Sequence, residues 1–175
     1  MNKMIKLPLF LGVCGAACAG ILAGVYALTN PIVQRNAEKI ANAAIYATFS
    51  TYGDENSLTV ETKELTDDLI AVGVLSKKKV TGSGLTDGMV YNVTTTKKGY
   101  AGTISFQLAF AEGKFLSYTN IANSETKELI GRLSNGEILS GTAAAGYSFA
   151  VVSGETFTSN ALKSAIDVIV ADYTK

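Results

Sequence analysis

The chain has 175 residues, enough for one ordinary domain and an appendage, and its 15 basic and 15 acidic residues give a formal net charge of zero. This balance argues against the strongly basic surface that nucleic-acid binding requires, so we expect no nucleic-acid partner. The chain contains no histidine, and both cysteines, Cys14 and Cys18, lie in the N-terminal apolar stretch. The rest of the chain lacks the usual ligands of zinc or iron–sulfur sites, so we expect no metal site, and redox chemistry would need an organic cofactor.

The first predicted element is residues 7–28, a run of 22 residues without a charge. As a helix this run is about 33 Å long, close to the roughly 30 Å of a membrane's hydrocarbon core. We therefore predict an uncleaved, single-pass transmembrane anchor over residues 1–28. Two alternatives stay open, a cleaved signal peptide that would release a secreted domain and a lipoprotein signal that ends at Cys18.

The orientation and the contacts of this anchor are predicted from its flanks and its small residues. Lys3 and Lys6 precede the run, which favours a cytoplasmic N-terminus and an extracytoplasmic C-terminal domain at the inner or plasma membrane. Gly20 and Gly24 have the GxxxG spacing that lets another membrane helix approach closely, although small residues are common in membrane helices in general.

An amphipathic linker helix is predicted over residues 29–53. Asn30 followed by Pro31 is a typical helix start, and apolar residues then recur at helical spacing until the chain reaches Gly53. The remainder, residues 54–175, is predicted to be one domain.

Within that domain the pattern predicts an antiparallel sheet with flanking helices. Strands are predicted at 58–61, 69–75, 89–96, 103–111 and 114–121, and the last three form a meander. We interpret 77–79, three consecutive lysines, as a solvated turn, and 124–133 as helix or loop. A strand-like segment at 147–152 precedes an amphipathic helix at 160–173. The predicted fold class is therefore α+β on a membrane stalk.

The segment 153–159 places several hydroxyl groups and one glycine between the predicted strand and the last helix. The residues concerned are Ser153, Gly154, Thr156, Thr158 and Ser159. A helix N-terminus exposes unpaired N–H groups and the positive end of a dipole, and it is therefore a natural site for a phosphate group. Taken alone, the same pattern is also typical of an ordinary helix N-cap.

Three local patterns resemble the FMN-binding domain family, and in particular the G component of the Rnf electron transport complex and its relative, the C component of the sodium-pumping NADH:quinone reductase. An N-terminal apolar helix is followed by Thr-Asn-Pro at 29–31. Residues 99–104, Gly-Tyr-Ala-Gly-Thr-Ile, resemble the family's Gly-Tyr-x-Gly-x-Ile segment. Residues 153–159 resemble its Ser-Gly-Ala-Thr-x-Thr-Ser motif, and Glu125-Thr126 stands where the family has Glu-Thr-Pro-Gly.

The resemblance implies that a flavin transferase esterifies Thr156 with the phosphate of FMN. It further implies that Ser153, Thr158 and Ser159 donate to phosphate oxygens and that Gly154 lets the backbone turn. Tyr100 is expected to flank the isoalloxazine ring and Glu125 and Thr126 to line the flavin pocket; packing and ordinary loop polarity remain alternatives for these three. The resemblance assigns no catalytic residue, since Thr156 is an attachment point.

The chain departs from the family pattern at three places. Ala150 occupies the position of an aspartate, Glu155 that of an alanine, and Lys127-Glu128 that of Pro-Gly. Two hypotheses for the function follow. The first is an electron-transfer subunit of an ion-translocating complex, which relays electrons through FMN and depends on other membrane subunits. The second is a membrane-tethered binding or assembly module of the same fold that has lost covalent flavin.

Overall fold

A computed structural model of the chain describes residues 15–16, 18–26, 29, 42–122 and 127–175. The chain divides into two compact units, Met1–Ala44 and Ile45–Lys175. In the first unit, the described residues between 15 and 29 are helical and exposed. Among the residues that the structure describes, no helix combines the length and the apolar character needed to cross a membrane. Much of the predicted span 7–28 lies outside the described residues, so the anchor stays a prediction.

Residues 42–48 are helical and are called α1 here. The part from Ile45 onward belongs to the second unit, where Ile45 and Phe49 are fully buried. The predicted start of the linker helix at Asn30 and Pro31 lies outside the described residues.

The second unit is an α+β fold, as predicted. Its elements after α1 are β1 (Thr59–Lys63), α2 (Asp67–Ala71), β2 (Val74–Gly82), β3 (Leu85–Thr94), β4 (Ser105–Ala111), β5 (Lys114–Ala122), α3 (Lys127–Ser134) and α4 (Thr156–Tyr173). The five strands form one antiparallel sheet in the order β1-β2-β3-β4-β5. The predicted meander is therefore confirmed, and it extends by two further strands on one side.

Short hairpin turns explain this simple strand order. Between β4 and β5, Glu112 and Gly113 have φ values of 53° and 72°. Positive φ at both central residues is the conformation of the two-residue hairpin turn whose twist matches that of the flanking strands. Consecutive strands joined in this way become neighbours in the sheet.

The sheet separates two apolar cores. On one face, α3 and α4 cover a large core that includes the aromatic residues Tyr91, Phe106, Phe110, Phe115, Tyr118 and Phe149. On the other face a smaller core contains Ile45, Phe49, Leu58, Val80, Leu85, Val90, Ala109 and Ala111. Alternating residues of the strands supply the two cores, because successive side chains in a strand point to opposite faces.

The prediction of a strand at 69–75 was wrong, because most of this segment forms α2. Thr66 precedes two acidic residues at the N-terminus of α2, a sequence that favours a helix start. The chain then reverses at Gly73, whose φ is +93° and where an added Cβ would lie 1.9 Å from the Thr94 carbonyl oxygen. Only glycine fits there, and β2 begins directly afterwards at Val74.

The prediction of a solvated turn at 77–79 was also wrong. These lysines lie in the middle of β2, opposite Tyr91, Val90 and Met89 of β3. A lysine can occupy a strand when its stem lies along the sheet and its ammonium group finds an acid. Lys77 meets this condition, because its Nζ lies 2.6 Å from Asp172 Oδ2 on α4.

The C-terminal end of α4 is bound to the sheet by two carboxylates. Asp172 accepts hydrogen bonds from Lys77 Nζ and, at 2.8 Å, from the hydroxyl of the fully buried Tyr91. Burial, together with the hydrogen bond to Asp172 and its charge, raises the pKa of Tyr91 far above its usual range, so this hydroxyl stays protonated and donates. The neighbouring Tyr173 donates from its hydroxyl to Asp87 Oδ2 at 2.9 Å.

Candidate functional site

The site is built on a tight turn at residues 152–155. The Glu155 N–H donates to the Val152 carbonyl oxygen at 3.2 Å, and Gly154 has a φ of +88°. Turns of type II require positive φ at this third position, and glycine adopts it without strain. Space is not the reason for the glycine, since an added Cβ would meet no atom within 4 Å. The positive φ of Gly154, and not a lack of space for a side chain, therefore explains why a glycine is needed at this turn.

The segment leading into this turn is not a strand, in contrast to the prediction for 147–152. Two of its backbone N–H groups donate to side chains of α4. The Phe149 N–H donates to Asp167 Oδ1 at 2.8 Å, and the Val152 N–H donates to Ser159 Oγ at 3.1 Å. The apolar pattern reflects burial of Phe149 against the helix core, which sequence periodicity does not distinguish from a short strand.

Helix α4 begins at Thr156, four residues earlier than the predicted start at 160. The carbonyl oxygen of Glu155 accepts the Ser159 N–H at 2.9 Å, which is the first backbone hydrogen bond of the helix. Thr156 is therefore the first helical residue, and it is exposed. Its hydroxyl stands where the N–H groups of a helix N-terminus have no partner within the helix.

Two of the predicted phosphate ligands are buried inside the first turn of α4. Ser159 is 0% exposed, and its hydroxyl donates to the Glu155 carbonyl oxygen at 2.7 Å while it accepts from Val152. The Ser159 hydroxyl thus joins the turn to the helix, and its contact to phosphate stays a prediction. Thr158 is also buried but borders the cleft described next. Ser153 is exposed in the turn itself.

A cleft of about 190 Å³ lies directly beside Thr156. It is lined by Tyr100 and by the run Gly154, Glu155, Thr156, Phe157 and Thr158. Tyr100 comes from the loop between β3 and β4, so the structure brings two of the predicted site segments together, 99–104 and 153–159. The volume is below the roughly 300–1,000 Å³ of pockets that enclose a drug-sized ligand, so the cleft can cover only part of a flavin.

The carboxylate of Glu155 is directed at a backbone N–H group. Its Oε1 lies 3.4 Å from the N–H of Leu129, in the first turn of α3. A negative charge at this position is favourable, because the N-terminus of a helix carries a partial positive charge. Glu155, which stands where the related motif has alanine, therefore has a partner of its own beside Thr156.

The other residues singled out from the sequence are placed as follows. Ala150 is exposed, two residues before the turn. Glu125 and Thr126 lie outside the described residues, immediately before the start of α3.

Two larger cavities border α4 away from this site. One of about 390 Å³ lies between α2 and α4, and one of about 490 Å³ is lined by Lys77, Asp87, Asp172 and neighbours. The carboxylates of Asp172 and Asp87 already hold the end of α4, since Asp172 pairs with Lys77 and Asp87 binds Tyr173. We therefore assign the site to the smaller cleft, which contains the exposed hydroxyl.

Comparison with known families matches part of the chain. Residues 99–171 match the FMN-binding domain. No curated protein matches the chain. The match begins one residue before Tyr100 and ends within α4, so it contains both walls of the cleft and every residue predicted to bind the cofactor. FMN is accordingly the cofactor of this domain, and the protein is a flavin-binding protein.

The residues present in the FMN-binding domain fit the cofactor. An exposed hydroxyl at the start of an 18-residue helix suits a phosphate group, and exposed aromatic rings beside it suit an isoalloxazine ring. Sequence reasoning missed Phe157, which lines the cleft and is 68% exposed. Its position four residues before the buried Ala161 was the available signal, but placing the helix start at 160 left Phe157 outside the helix.

Proposed function

We propose that the protein is a membrane-anchored flavoprotein subunit of an Rnf-type, ion-translocating electron transport complex, in which Thr156 carries FMN through a phosphoester. The observation that carries this proposal is the exposed Thr156 hydroxyl at the first position of α4, inside the segment that matches the FMN-binding domain and beside a cleft bordered by an aromatic ring. FMN, when bound, supplies the redox chemistry that this histidine-free chain cannot supply from its own side chains.

The arrangement around Thr156 suits attachment by a transferase. Esterification needs a hydroxyl that an enzyme can reach, and the tight turn at Ser153–Gly154 presents Thr156 at the surface. The phosphodiester keeps one negative charge, which the N-terminus of α4 stabilises by about 0.3–1 kcal/mol at an exposed site. The Glu155 carboxylate has its own N–H partner at Leu129, which reduces the cost of placing a second negative charge nearby.

The membrane parts of the proposal follow from the sequence of the N-terminal unit. The uncharged run 7–28 anchors the chain with its N-terminus in the cytoplasm, and the spacing of Gly20 and Gly24 offers a close contact to the other membrane subunits. Those subunits handle the electron donor and acceptor, and a flavin transferase matures the protein on the extracytoplasmic side.

The second candidate function is a binding or assembly module of the same fold without covalent flavin. The observation that favours it is Ala150, an exposed residue where the related motif has an aspartate. If the transferase recognises that carboxylate, this chain is a poor substrate even though its fold is intact.

The deciding experiment is co-expression of the full chain with a flavin transferase. After denaturation, in-gel flavin fluorescence and an added mass of FMN less one water are expected on the wild type. Thr156→Val should abolish both, because valine keeps the shape of threonine but has no hydroxyl. Thr103→Val is the matched control, since Thr103 is another exposed threonine of the matched region and lies outside the cleft.

Two outcomes would contradict the proposal. The first, a wild type without adduct and without bound flavin in the native protein, would decide for the module. The second, an adduct that persists on Thr156→Val, would place the flavin on a residue other than Thr156. Under the first outcome, Ala150→Asp tells apart two causes, a missing recognition residue and a missing attachment site. It restores the adduct only if the transferase fails because the carboxylate at position 150 is absent.

A further inference from the structure

Two exposed aromatic side chains border the cleft from different elements. Tyr100, in the loop between β3 and β4, is 80% exposed, and Phe157, in the first turn of α4, is 68% exposed. The other large apolar side chains exposed among the described residues of the second unit are Ile70, Leu75, Ile121 and Val151. None of these four is aromatic, and none lines the cleft.

Phe157 lies on the same face of α4 as the buried residues that follow it, but beyond the point where the core covers that face. It precedes the fully buried Ala161 by four residues, a spacing that places both side chains on the same face of a helix. Ala161 and Ala165 are covered by the sheet, whereas Phe157 projects from the end of the domain. An aromatic ring left uncovered at this point, next to a cleft that contains a second one, is suited to a planar ligand.

We propose that Phe157, together with Tyr100, holds the isoalloxazine ring of the flavin, with Phe157 as the positioning residue. This inference rests on the proposed function, because it takes Thr156 as the point at which the phosphate is held. The cleft, at about 190 Å³, is too small to enclose the whole cofactor, so the ring lies at its mouth, where both aromatic side chains stand.

The chemistry of the two walls supports this placement. Aromatic rings pair in offset-stacked or edge-to-face arrangements with centroids about 4.5–7 Å apart. Phe157 follows Thr156 directly, so it lies within reach of a ring that is tethered to Thr156 through the ribityl phosphate. Tyr100 belongs to the sheet side of the cleft and Phe157 to the helix side, so the ring is held between two elements that are packed on one core.

The proposal is tested on the flavinylated full chain by iodide quenching and by the fluorescence anisotropy of the tethered flavin. Phe157→Ala is expected to carry as much adduct as the wild type. The ratio of solvent-exposed to docked flavin ring should rise about 2- to 10-fold, because the ring loses the stabilisation of one aromatic pair. Quenching by iodide rises and anisotropy falls accordingly. Phe157→Tyr is expected to keep the wild-type values.

The matched control is Leu75→Ala, which removes an apolar side chain of equal exposure, 67%, outside the cleft. It should change neither quenching nor anisotropy. Equal quenching and anisotropy in Phe157→Ala and the wild type, with the adduct present on both, would overturn the proposal while leaving the attachment at Thr156 intact.

A wild type without adduct would contradict the proposed function, and the ring site is then tested with free FMN. Phe157→Ala should bind free FMN about 2- to 10-fold more weakly than the wild type and Leu75→Ala. Equal affinities of all three proteins for FMN, or no binding to any of them, would overturn the inference.

Discussion

The two ends of α4 differ in how they are held. At the C-terminal end, Asp172 and Tyr173 bind the sheet through buried or half-buried side-chain hydrogen bonds. At the N-terminal end, Glu155 makes no side-chain capping bond to α4, and Thr156 is exposed. One helix thus combines a tightly bound end with an end whose first residue is exposed and whose N-cap side chain makes no capping bond.

We expect this difference to separate stability from the proposed phosphate binding along a single element. A helix N-terminus that is already capped by its own side chain has less capacity for a phosphate group, since the same N–H groups would serve both. Because α4 is held firmly at the other end and along its buried stripe, its first turn can remain uncapped without loss of the helix. Three predictions probe the two ends separately.

The largest effect is expected at the fixed end, from Asp172→Ala. The side chains of Lys77 and Asp172 are only 16% and 8% exposed, so removal of the acid leaves a nearly buried ammonium group and the Tyr91 hydroxyl without their partner. Loss of one member of a buried pair typically costs about 3–5 kcal/mol of unfolding free energy. Urea unfolding of the full chain in detergent, followed by tyrosine emission, measures this loss.

Glu61→Ala is the matched control for this prediction. Glu61 also pairs with a lysine, Lys63, at 2.8 Å, but both side chains are exposed. Exposed pairs contribute only about 0.2–1 kcal/mol. A loss in Asp172→Ala no larger than that in Glu61→Ala would show that the C-terminal end is not the fixed one.

An intermediate effect is expected at the open end, from Ser159→Ala. This change removes the acceptor of the half-buried Val152 N–H; a buried donor without a partner costs about 1–3 kcal/mol, so we expect a loss at the lower end of that range. It also loosens the turn that presents Thr156, so the yield of flavin adduct should fall. Ser164→Ala is the control, because the Ser164 hydroxyl bonds only to the Ala161 carbonyl oxygen of its own helix. An unchanged unfolding free energy in Ser159→Ala would contradict the proposed link between turn and helix.

The sequence predicts most of the sheet and much less of its connections. The meander was found because its strands alternate in polarity and are joined by glycine turns such as Glu112-Gly113. The helix α2 was mistaken for a strand, since its only buried residue is Leu69 and five residues are too few to show helical periodicity. Lys77 was assigned to a turn because its partner, Asp172, lies 95 positions away in the chain.

The geometry of the candidate site was predictable where neighbouring residues in the sequence determine it, and not where packing between distant segments determines it. Turn preferences predict the positive φ of Gly154, and the structure places Thr156 at the first position of α4, while their roles toward the cofactor stay predictions. The burial of Ser159 and the outward position of Phe157 depend on where α4 begins and on where the core ends, which neighbouring residues do not reveal. The contact from Glu155 to Leu129 joins segments 26 positions apart and has no local signal.

The smallest effect is expected from acid titration of the fixed end at Asp87. Burial raises the pKa of this carboxyl, but hydrogen bonds from the Glu112 N–H, the Tyr173 hydroxyl and the Gly113 N–H outweigh burial and leave the pKa lowered. A lowered pKa in the folded state means that Asp87 stabilises the fold above its unfolded pKa, and this contribution is lost as the pH falls through the folded value. The effect is modest, because Asp87 is partly exposed and water screens it.

The test compares the wild type with Asp87→Asn across the acid range. The difference in their unfolding free energies should be constant above about pH 5 and should close below about pH 4, because the unfolded carboxyl titrates near pH 3.9. Hydrogen bonds from Ser57 and Lys63 also lower the pKa values of Asp54 and Glu61. These two groups titrate in the wild type and in Asp87→Asn alike, so their contributions cancel when the two unfolding free energies are subtracted. A difference that persists unchanged to about pH 2 would mean that Asp87 holds Tyr173 without its charge. Of the two carboxylates at the fixed end of α4, only Asp172 would then act through its charge.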